Sequence, residues 1–301
     1  MSRPPYEELP PHVRAAVDAA LGWPVVRAAS EHGGWSPGVA ARVWGPSGQA
    51  AFVKAVSGAV NAHSAALHRR EAAVTPALRG VAPALLGVHD DGTWVALVLE
   101  QVPGRPPAQP WVPAELDAVL RAVERVAEHP APPGVPDAVD ALDGDLGGWA
   151  VLAERGGATG REGRALDRLV ALEAGFAEAS AGDGLLHLDV RDDNAVLRPD
   201  GEAVLVDWPW AARGAAVLDL VALAPSAALR GGPPPEELLA RTRAGRDADP
   251  DALRAVVAAF AGCFVERSLQ PAPPGLPGLR AFQAAQGEVA VPWLRRLLGT
   301  K

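Results

Sequence analysis

The pattern of apolar and polar positions divides the chain into a first part rich in strands and a second part rich in helices. In the first part, short apolar runs are separated by Gly- and Pro-containing turns, which is typical of a small antiparallel sheet. The elements predicted there are a helix over 11–21, strands over 25–30, 39–44, 49–56 and 93–102, and a helix over 61–74.

The chain is predicted to be mainly helical beyond residue 104. The Pro-rich breaks between these helices, such as 129–136 and 270–278, are too short to be linkers between domains. We therefore predict an α+β protein with a small antiparallel sheet lobe over 1–102 and a larger, mostly helical lobe over 103–301. The predicted helices span 113–128, 161–180, 215–224, 235–244, 250–269 and 277–298.

One segment of the helical part has the pattern of a β-hairpin. In residues 194–207 two apolar runs flank Arg-Pro-Asp-Gly, and Asp-Gly is a strong hairpin signal. If the turn is centred between Asp200 and Gly201, the numbers of paired residues sum to 401, with a loop of either two or four residues. Asn194 would then lie opposite Asp207, and the oxygens of both side chains could bind one hard cation.

The same asparagine ends the spacing H-x-D-x-x-x-x-N, which begins at His187. The composition predicts roughly 0.003 chance occurrences of this spacing in the chain. Mg²⁺ usually takes few protein ligands, so Asn194 and Asp207 would be a typical share, and Asp189 would remain available as a base. Turn capping is the alternative interpretation for any single one of these residues.

Lys54 is the chain's only lysine apart from Lys301, although the chain has 28 basic residues of the Lys and Arg types. It lies in the predicted strand FVKAV, where a lone lysine in place of the abundant arginine suggests that a compact positive charge is required. A half-buried lysine needs a counter-charge, and Glu71 is the only acid between His32 and His89. We therefore predict a Lys54–Glu71 pair; an exposed cation at a strand edge is the alternative.

The loop over residues 30–38 contains glycines that could let backbone amides approach a phosphate group. Gly33, Gly34 and Ser36 are the candidate phosphate-binding residues in this loop. The signal is weak by itself, because the loop does not match G-x-G-x-x-G and Gly-rich loops are often only turns.

Composition and charge narrow the classes of function. The formal net charge of −8 argues against general nucleic-acid binding. No stretch approaches 18 uninterrupted apolar residues, and the first residues lack the apolar core of a signal peptide, so we expect a cytoplasmic protein that does not bind membranes. The single cysteine, Cys263, lies in an apolar helical segment and is not expected to be catalytic.

Together, these features resemble the kinase-like fold, and specifically the aminoglycoside phosphotransferase family with its choline-kinase-type members. LLHLDVRDDNAVL stands where that family has a His-Gly-Asp loop, VLVDWPW where it has Ile-Asp-Trp, and LEQVPGRP resembles its connector between lobes. The resemblance covers roughly residues 25–225. Leu188 departs from it by replacing the usual glycine, and Pro209 departs by standing where an acid is common.

The resemblance implies a protein-kinase-like two-lobe fold that binds ATP and Mg²⁺. Asp189 would be the catalytic base, and Asn194 and Asp207 would hold the metal ion. Lys54, positioned by Glu71, would contact the α- and β-phosphates.

The resemblance also implies an adenine that bonds to the backbone of Glu100 and Val102. His187 and Asp219 would have structural roles in the catalytic loop. Asp192 and Asp193 are expected to cap the turn or, less favoured, to add substrate or metal contacts.

The implied reaction is transfer of the ATP γ-phosphoryl group to a hydroxyl of a small molecule, such as an aminoglycoside-like or amino-alcohol acceptor. The alternative is a catalytically silent nucleotide-binding pseudokinase that acts as a sensor or scaffold. A protein kinase is disfavoured, because Asp219 follows Asp207 too closely to leave room for a long activation segment. We expect a monomer or a weak homodimer. The acids considered for an acidic acceptor pocket are Asp143, Asp145, Glu236, Glu237 and Glu266.

Overall fold

The computed structural model describes residues 3–31, 37–142, 145–156 and 160–299. The chain forms two compact units. The first comprises Met1–Arg105 with two short later segments, Val206–Trp210 and Pro273–Pro277, and the second comprises the remainder. No single cut of the sequence reproduces this division, because two five-residue segments return to the first unit.

The first unit is built on one antiparallel sheet of five strands in the order β1-β2-β3-β5-β4. Its elements are α1 (Pro11–Leu21), β1 (Arg27–Ser30), β2 (Val39–Trp44), β3 (Ala50–Ser57), α2 (Ala62–Val74), β4 (Leu85–Asp90) and β5 (Trp94–Glu100).

The alternation of side chains along β3 gives the sheet two different apolar faces. Val53 and Ala55 join a buried cluster with Val13 and Val17 of α1. Phe52 and Val56, which point to the opposite side of the strand, join a second cluster with Ala65 of α2. Lys54 shares the parity of Phe52 and Val56, so the strand directs it toward the α2 side.

The strand β4 was not predicted from the sequence. Its ladder with β5 shifts register between Leu85 and Gly87, and its positions alternate between half-buried and exposed, with none fully buried. Gly87 is needed for packing, because a Cβ atom there would lie 2.5 Å from the Cβ of Ala20 in α1. The glycine that weakens the strand signal therefore allows the helix to approach the sheet closely.

The second unit is mainly helical and is organised around one buried helix, α11, which contacts α5, α6, α7, α8 and α12. A Cβ atom on Gly148 of α5 would lie 2.1 Å from the carbonyl oxygen of Gly262 in α11, so this helix pair requires glycine. The elements are α3 (Pro113–Glu128), α4 (Ala138–Ala141), α5 (Gly148–Gly156), α6 (Gly160–Ala174), α7 (Phe176–Ala179), β6 (Gly184–Leu186), β7 (Ala195–Leu197), β8 (Ala203–Leu205), β9 (Ala212–Gly214), α8 (Val217–Leu229), α9 (Pro235–Ala240), α10 (Arg243–Arg246), α11 (Pro250–Ser268) and α12 (Leu279–Leu297).

The predicted hairpin forms from β7 and β8, but its predicted register is wrong by one residue. Ala195 pairs with Leu205 and Leu197 with Ala203, so the paired numbers sum to 400. The cause is a three-residue loop: the Arg198 N–H donates to the Glu202 carbonyl at 2.8 Å, and Gly201 takes a φ of 84°. A glycine in this conformation closes a three-residue hairpin loop, whereas the prediction allowed only loops of two or four residues.

With this register, the predicted pairing of Asn194 with Asp207 does not form. The ladder begins at Ala195 and ends at Leu205, so Asn194 and Asp207 flank it and are not a cross-strand pair. Among the described residues, no helix is both long and apolar enough to cross a membrane.

Candidate active site

Lys54 is held between two carboxylates within the first unit. Its Nζ lies 2.9 and 2.8 Å from Oε1 and Oε2 of Glu71, and 2.6 Å from Oδ1 of Asp207. The predicted Lys54–Glu71 pair is therefore present, and Asp207 is a second partner that the pair alone did not predict. The Lys54 and Glu71 side chains are 12% and 3% exposed, whereas that of Asp207 is 39% exposed.

The surroundings keep Lys54 protonated. Burial lowers the pKa of its ammonium group, but the charges and hydrogen bonds of Asp207 and Glu71 outweigh burial and raise the pKa above its usual value. Burial, together with the charge of Asp207, raises the pKa of Glu71, although Lys54 and the Trp208 N–H, which donates to Glu71 Oε1 at 3.2 Å, act to lower it. Because two donors hold the Glu71 carboxylate, we assign a charged pair.

Asp207 has a strained backbone. Its φ is 69°, a left-handed value that is uncommon outside glycine, although aspartate and asparagine adopt it more often than other residues. Such strain persists only where neighbouring contacts hold the residue in place. The contact with Lys54 and the bond from the following residue, Trp208, to Glu71 provide two of these restraints.

The second cluster is the loop from His187 to Asn194 in the second unit. Asn194 Nδ2 donates to the Asp189 carbonyl at 2.8 Å and to Asp189 Oδ2 at 2.9 Å. The Asp189 N–H donates to His187 Nδ1 at 3.3 Å. The spacing H-x-D-x-x-x-x-N thus brings its three polar residues into one network, in which the side chain of the candidate base is oriented by Asn194.

Asp219 braces this loop from α8, as predicted for its structural role. Its buried carboxylate accepts hydrogen bonds from the backbone N–H groups of His187 at 2.9 Å and Leu188 at 2.6 Å. Burial raises the pKa of Asp219 to about 6, although both hydrogen bonds act to lower it.

Leu188, which stands where the resemblance predicts a glycine, has a backbone conformation that favours glycine. Its φ is 58°, in the left-handed region, which costs roughly 1–2 kcal/mol for a residue with a Cβ atom. Its side chain is buried, and its N–H bonds to Asp219, so packing and hydrogen bonding offset the strain.

Arg191 is a residue that the sequence analysis missed. Its guanidinium group contacts Asp189 Oδ1 and also donates to Asp193 Oδ1 at 2.9 Å. The available signal was a lone cation two residues after the candidate base, within a run of aspartates. Asp193 is therefore paired with Arg191, while burial and the neighbouring Asp193 raise the pKa of Asp192.

The donor atoms of Asn194 and Asp207 suit a hard divalent cation. The amide nitrogen of Asn194 is committed to two acceptor oxygens of Asp189, so its oxygen is the end of the side chain left to act as a ligand. Asp207 contributes a partly exposed carboxylate. Each of these side chains offers an oxygen ligand of the kind that Mg²⁺ prefers.

The remaining candidate nucleotide contacts differ in how they can act. The backbone N–H of Glu100 already donates to the Ala84 carbonyl at 2.8 Å, and its side chain accepts from the Ala84 N–H at 3.2 Å. Val102 follows β5 in an irregular segment. The predicted phosphate-loop residues Gly33, Gly34 and Ser36 lie outside the described residues.

Four of the acids considered for an acceptor pocket are paired with arginines in the second unit, and the fifth, Asp143, lies outside the described residues. The pairs and their N–O distances are Asp145–Arg267 at 2.8 Å, Glu266–Arg155 at 2.9 Å, Glu236–Arg296 at 2.6 Å and Glu237–Arg241 at 2.6 Å.

The chain matches a known protein family over most of its length. The sequence profile of a family described as "Phosphotransferase enzyme family" (APH) matches residues 31–256. A search of curated proteins finds no match.

Solved structures share the fold at low sequence identity. Choline kinase LicA from Streptococcus pneumoniae is 12% identical, with a TM-score of 0.61 over 95% of this chain and 98% of its own. A choline/ethanolamine kinase family protein from Mesorhizobium loti is 18% identical, with a TM-score of 0.58 over 96% and 94%. A thermostable mutant of the aminoglycoside phosphotransferase APH(4)-Ia, in a ternary complex with AMP-PNP and hygromycin B, is 14% identical, with a TM-score of 0.61 over 96% and 98%. These likenesses confirm the predicted α+β, kinase-like fold.

Proposed function

The chain belongs to the phosphotransferase enzyme family, and on that basis we propose that this small-molecule kinase moves the γ-phosphoryl group of ATP to a hydroxyl group of its acceptor, with Mg²⁺. The observation that supports this most is the placement of Lys54 between Glu71 and Asp207. A buried ammonium group with two carboxylate partners is costly to build, and it is the charge that a bound polyphosphate requires.

Asp189 is the proposed base. The acceptor hydroxyl loses its proton to the Asp189 carboxylate as its oxygen bonds to the γ-phosphorus, and the bond from phosphorus to the ADP oxygen breaks. Asn194 and the backbone network around His187 fix the orientation of this carboxylate. Positioning of this kind is the main contribution a protein makes to phosphoryl transfer.

Arg191 is proposed to balance charge around the base. It contacts the carboxylates of Asp189 and Asp193, so the three residues together have one net negative charge. Arginine remains charged at any working pH, and it therefore limits repulsion between these aspartates and an approaching phosphate group.

The proposed metal ligands are the amide oxygen of Asn194 and the carboxylate of Asp207. Bound Mg²⁺ would neutralise charge on the phosphate oxygens. Lys54 would contact the α- and β-phosphates with its position fixed by Glu71, and the carbonyl of Glu100 and the N–H of Val102 would bind adenine. The N–H of Glu100 is unsuited to that role because it bonds to Ala84.

Four acids of the second unit have arginine partners, which reduces the negative charge that these acids could offer to an acceptor. A polyamine such as an aminoglycoside is best bound by several acids without counter-ions, whereas Asp145, Glu236, Glu237 and Glu266 each have an arginine partner. We therefore propose a hydroxyl acceptor such as a sugar or an amino-alcohol with one amine at most.

The test is ATP turnover with panels of sugars, amino-alcohols and aminoglycosides, with phosphorylated products identified by ³¹P NMR. We expect a product with one of the first two panels and its loss in Asp189→Asn. The matched control is Asp183→Asn, since that side chain is 98% exposed. Absence of phosphoryl transfer to every acceptor, in a folded protein that binds ATP, would contradict the proposal.

A further inference from the structure

Two histidines and an aspartate converge in the first unit, and none of them is part of the proposed phosphoryl-transfer site. His12 lies at the start of α1, His89 lies near the end of β4, and Asp91 begins the turn that leads to β5. The Nε2 atom of His12 lies 2.9 Å from Asp91 Oδ2, and that of His89 lies 3.4 Å from the same oxygen. One donor atom from each residue lies within 4.8 Å of the other two.

The turn orients the Asp91 carboxylate. Its Oδ1 accepts hydrogen bonds from the backbone N–H groups of Thr93 at 2.8 Å and Trp94 at 2.7 Å. Because Oδ1 is committed to the turn, Oδ2 is the oxygen directed toward the two imidazole rings. The carboxylate is therefore held in place by the backbone and does not depend on the histidines for its position.

Hydrogen bonding alone does not satisfy this cluster. His12 bonds to Asp91 Oδ2, but the Nε2 of His89, an atom shielded from solvent on a half-buried side chain, lies 3.4 Å from the same oxygen and makes no well-aligned hydrogen bond to it or to any other described residue. A buried ring nitrogen without a partner is unfavourable, and such groups call for a specific explanation. A cation bound to all three atoms would give this nitrogen a partner and would use the oxygen that faces it.

We propose that His12, His89 and Asp91 form a binding site for Zn²⁺. Ligands at about 2.0–2.1 Å in tetrahedral geometry lie roughly 3.3 Å apart, close to the two Nε2–Oδ2 distances. Two imidazoles and one carboxylate suit a borderline cation such as Zn²⁺, whereas Mg²⁺ prefers oxygen ligands.

The fourth position of this site is filled by water, because the His12 side chain is largely exposed. The bound ion cross-links the start of α1 to β4 and to the turn between β4 and β5. Its role is therefore structural, and it stabilises the packing of α1 on the sheet.

The test uses the full chain without a histidine tag, freed of metal with a chelator and titrated with Zn²⁺ by calorimetry. We expect one saturable site and a rise in Tm on binding. His12→Gln, His89→Gln and Asp91→Asn should each weaken binding at least about 10-fold, since loss of even an outer-shell partner of a metal ligand has that effect. Mg²⁺ should not compete.

The matched control is His63→Gln, because His63 is an exposed histidine of α2 in the same unit. It should bind Zn²⁺ like the wild type. The proposal is overturned if the wild type has no saturable Zn²⁺ site, or if the three ligand variants bind as the control does.

A second measurement covers the case in which a ligand variant fails to fold. Co²⁺ added to the metal-free wild type should give the intense visible absorption of a four-coordinate site, and one equivalent of Zn²⁺ should abolish it. A spectrum like that of hydrated Co²⁺ would overturn the proposal.

Discussion

The carboxylate of Asp219 lies 2.6 Å from the backbone nitrogen of Leu188, a residue whose φ is positive. The same carboxylate also accepts the N–H of the preceding residue. A buried side chain of α8 therefore holds the loop of the proposed base in a conformation that the loop would not adopt by itself. This relationship allows a leucine to occupy a position whose backbone conformation favours glycine.

Replacing Asp219 with Asn should destabilise the protein and lower its activity. The amide has one acceptor oxygen for two backbone N–H donors, and its NH₂ group would face the second donor. The expected loss is about 1–3 kcal/mol in the free energy of unfolding, measured by urea denaturation. We also expect a fall in kcat, because the Asp189 carboxylate loses its fixed position.

Asp183→Asn is the control for this change, because Asp183 is an exposed aspartate of the same unit. It should leave both stability and kcat unchanged. Equal stability of Asp219→Asn and the wild type would show that the two hydrogen bonds do not hold the loop.

The variant Leu188→Gly should be more stable than Leu188→Ala, although alanine is usually the more stabilising of the two residues. Both variants lose the buried leucine side chain, but only Ala retains the Cβ strain at a φ of 58°. The strain of roughly 1–2 kcal/mol exceeds the conformational entropy cost of glycine. The free energy of unfolding of Leu188→Gly should therefore be higher than that of Leu188→Ala by about 0.5–1 kcal/mol. Urea denaturation of the two variants measures this difference directly.

The same pair of substitutions at Arg121, an exposed position within α3, is the control. There the free energy of unfolding of Arg121→Ala should be higher than that of Arg121→Gly by about 1 kcal/mol, because the backbone is helical. If the alanine variant is more stable than the glycine variant at both positions, the backbone of Leu188 is not strained.

A contact can be predicted from the sequence when the composition leaves only one candidate partner. A contact that depends on exact geometry is harder to predict. The Lys54–Glu71 pair could be predicted because no other acid lies nearby in sequence. The contact of Lys54 with Asp207 joins residues 153 positions apart and depends on a segment that returns to the first unit. No local pattern encodes that return.

The hairpin shows the same limit at one-residue precision. The Asp-Gly signal predicts the position of the turn correctly. The predicted loop has two or four residues, whereas the observed loop has three. Gly201 in the left-handed conformation selects the three-residue loop, and a change of one residue removes the predicted Asn194–Asp207 pairing. The donor chemistry of both residues could still be predicted from their types and spacing.

Removal of the Lys54 charge should destabilise the first unit strongly. Lys54→Met leaves Glu71 buried without its partner, and losing one member of a buried ion pair costs about 3–5 kcal/mol. We expect the lower end of that range, because the second partner, Asp207, is 39% exposed. The double variant Lys54→Met with Glu71→Gln should recover part of the loss, since no buried charge remains.

Arg69→Met is the control, because Arg69 forms an exposed pair with Asp90 in the same unit. Its effect on the free energy of unfolding should stay below about 1 kcal/mol. Equal effects of Lys54→Met and Arg69→Met would contradict the buried-pair interpretation. Urea denaturation at neutral pH measures all of these variants.

His68 should make the protein less stable as the pH falls below 6.5. Burial, and next the charge of Lys54, lower the pKa of His68 to about 4, and its Nε2 has no hydrogen-bond partner among the described residues. Above pH 6.5 the imidazole is neutral in both the folded and the unfolded chain, so its contribution is fully present. Between pH 6.5 and 4 the unfolded chain binds a proton that the folded chain does not, which costs about 3 kcal/mol by pH 4.

Urea denaturation of the wild type and of His68→Leu at pH 7.5, 6 and 5 isolates this effect. The raised pKa of Asp219 contributes a slope of opposite sign over part of the range, but it is present in both proteins and cancels in their difference. The stability of the wild type relative to His68→Leu should fall by about 2 kcal/mol between pH 7.5 and 5. His63→Leu, which removes an exposed histidine of the same helix, should follow the wild type. A difference between wild type and His68→Leu that does not change with pH would mean that His68 is protonated equally in the folded and unfolded chains, and that the buried environment assigned to it is wrong.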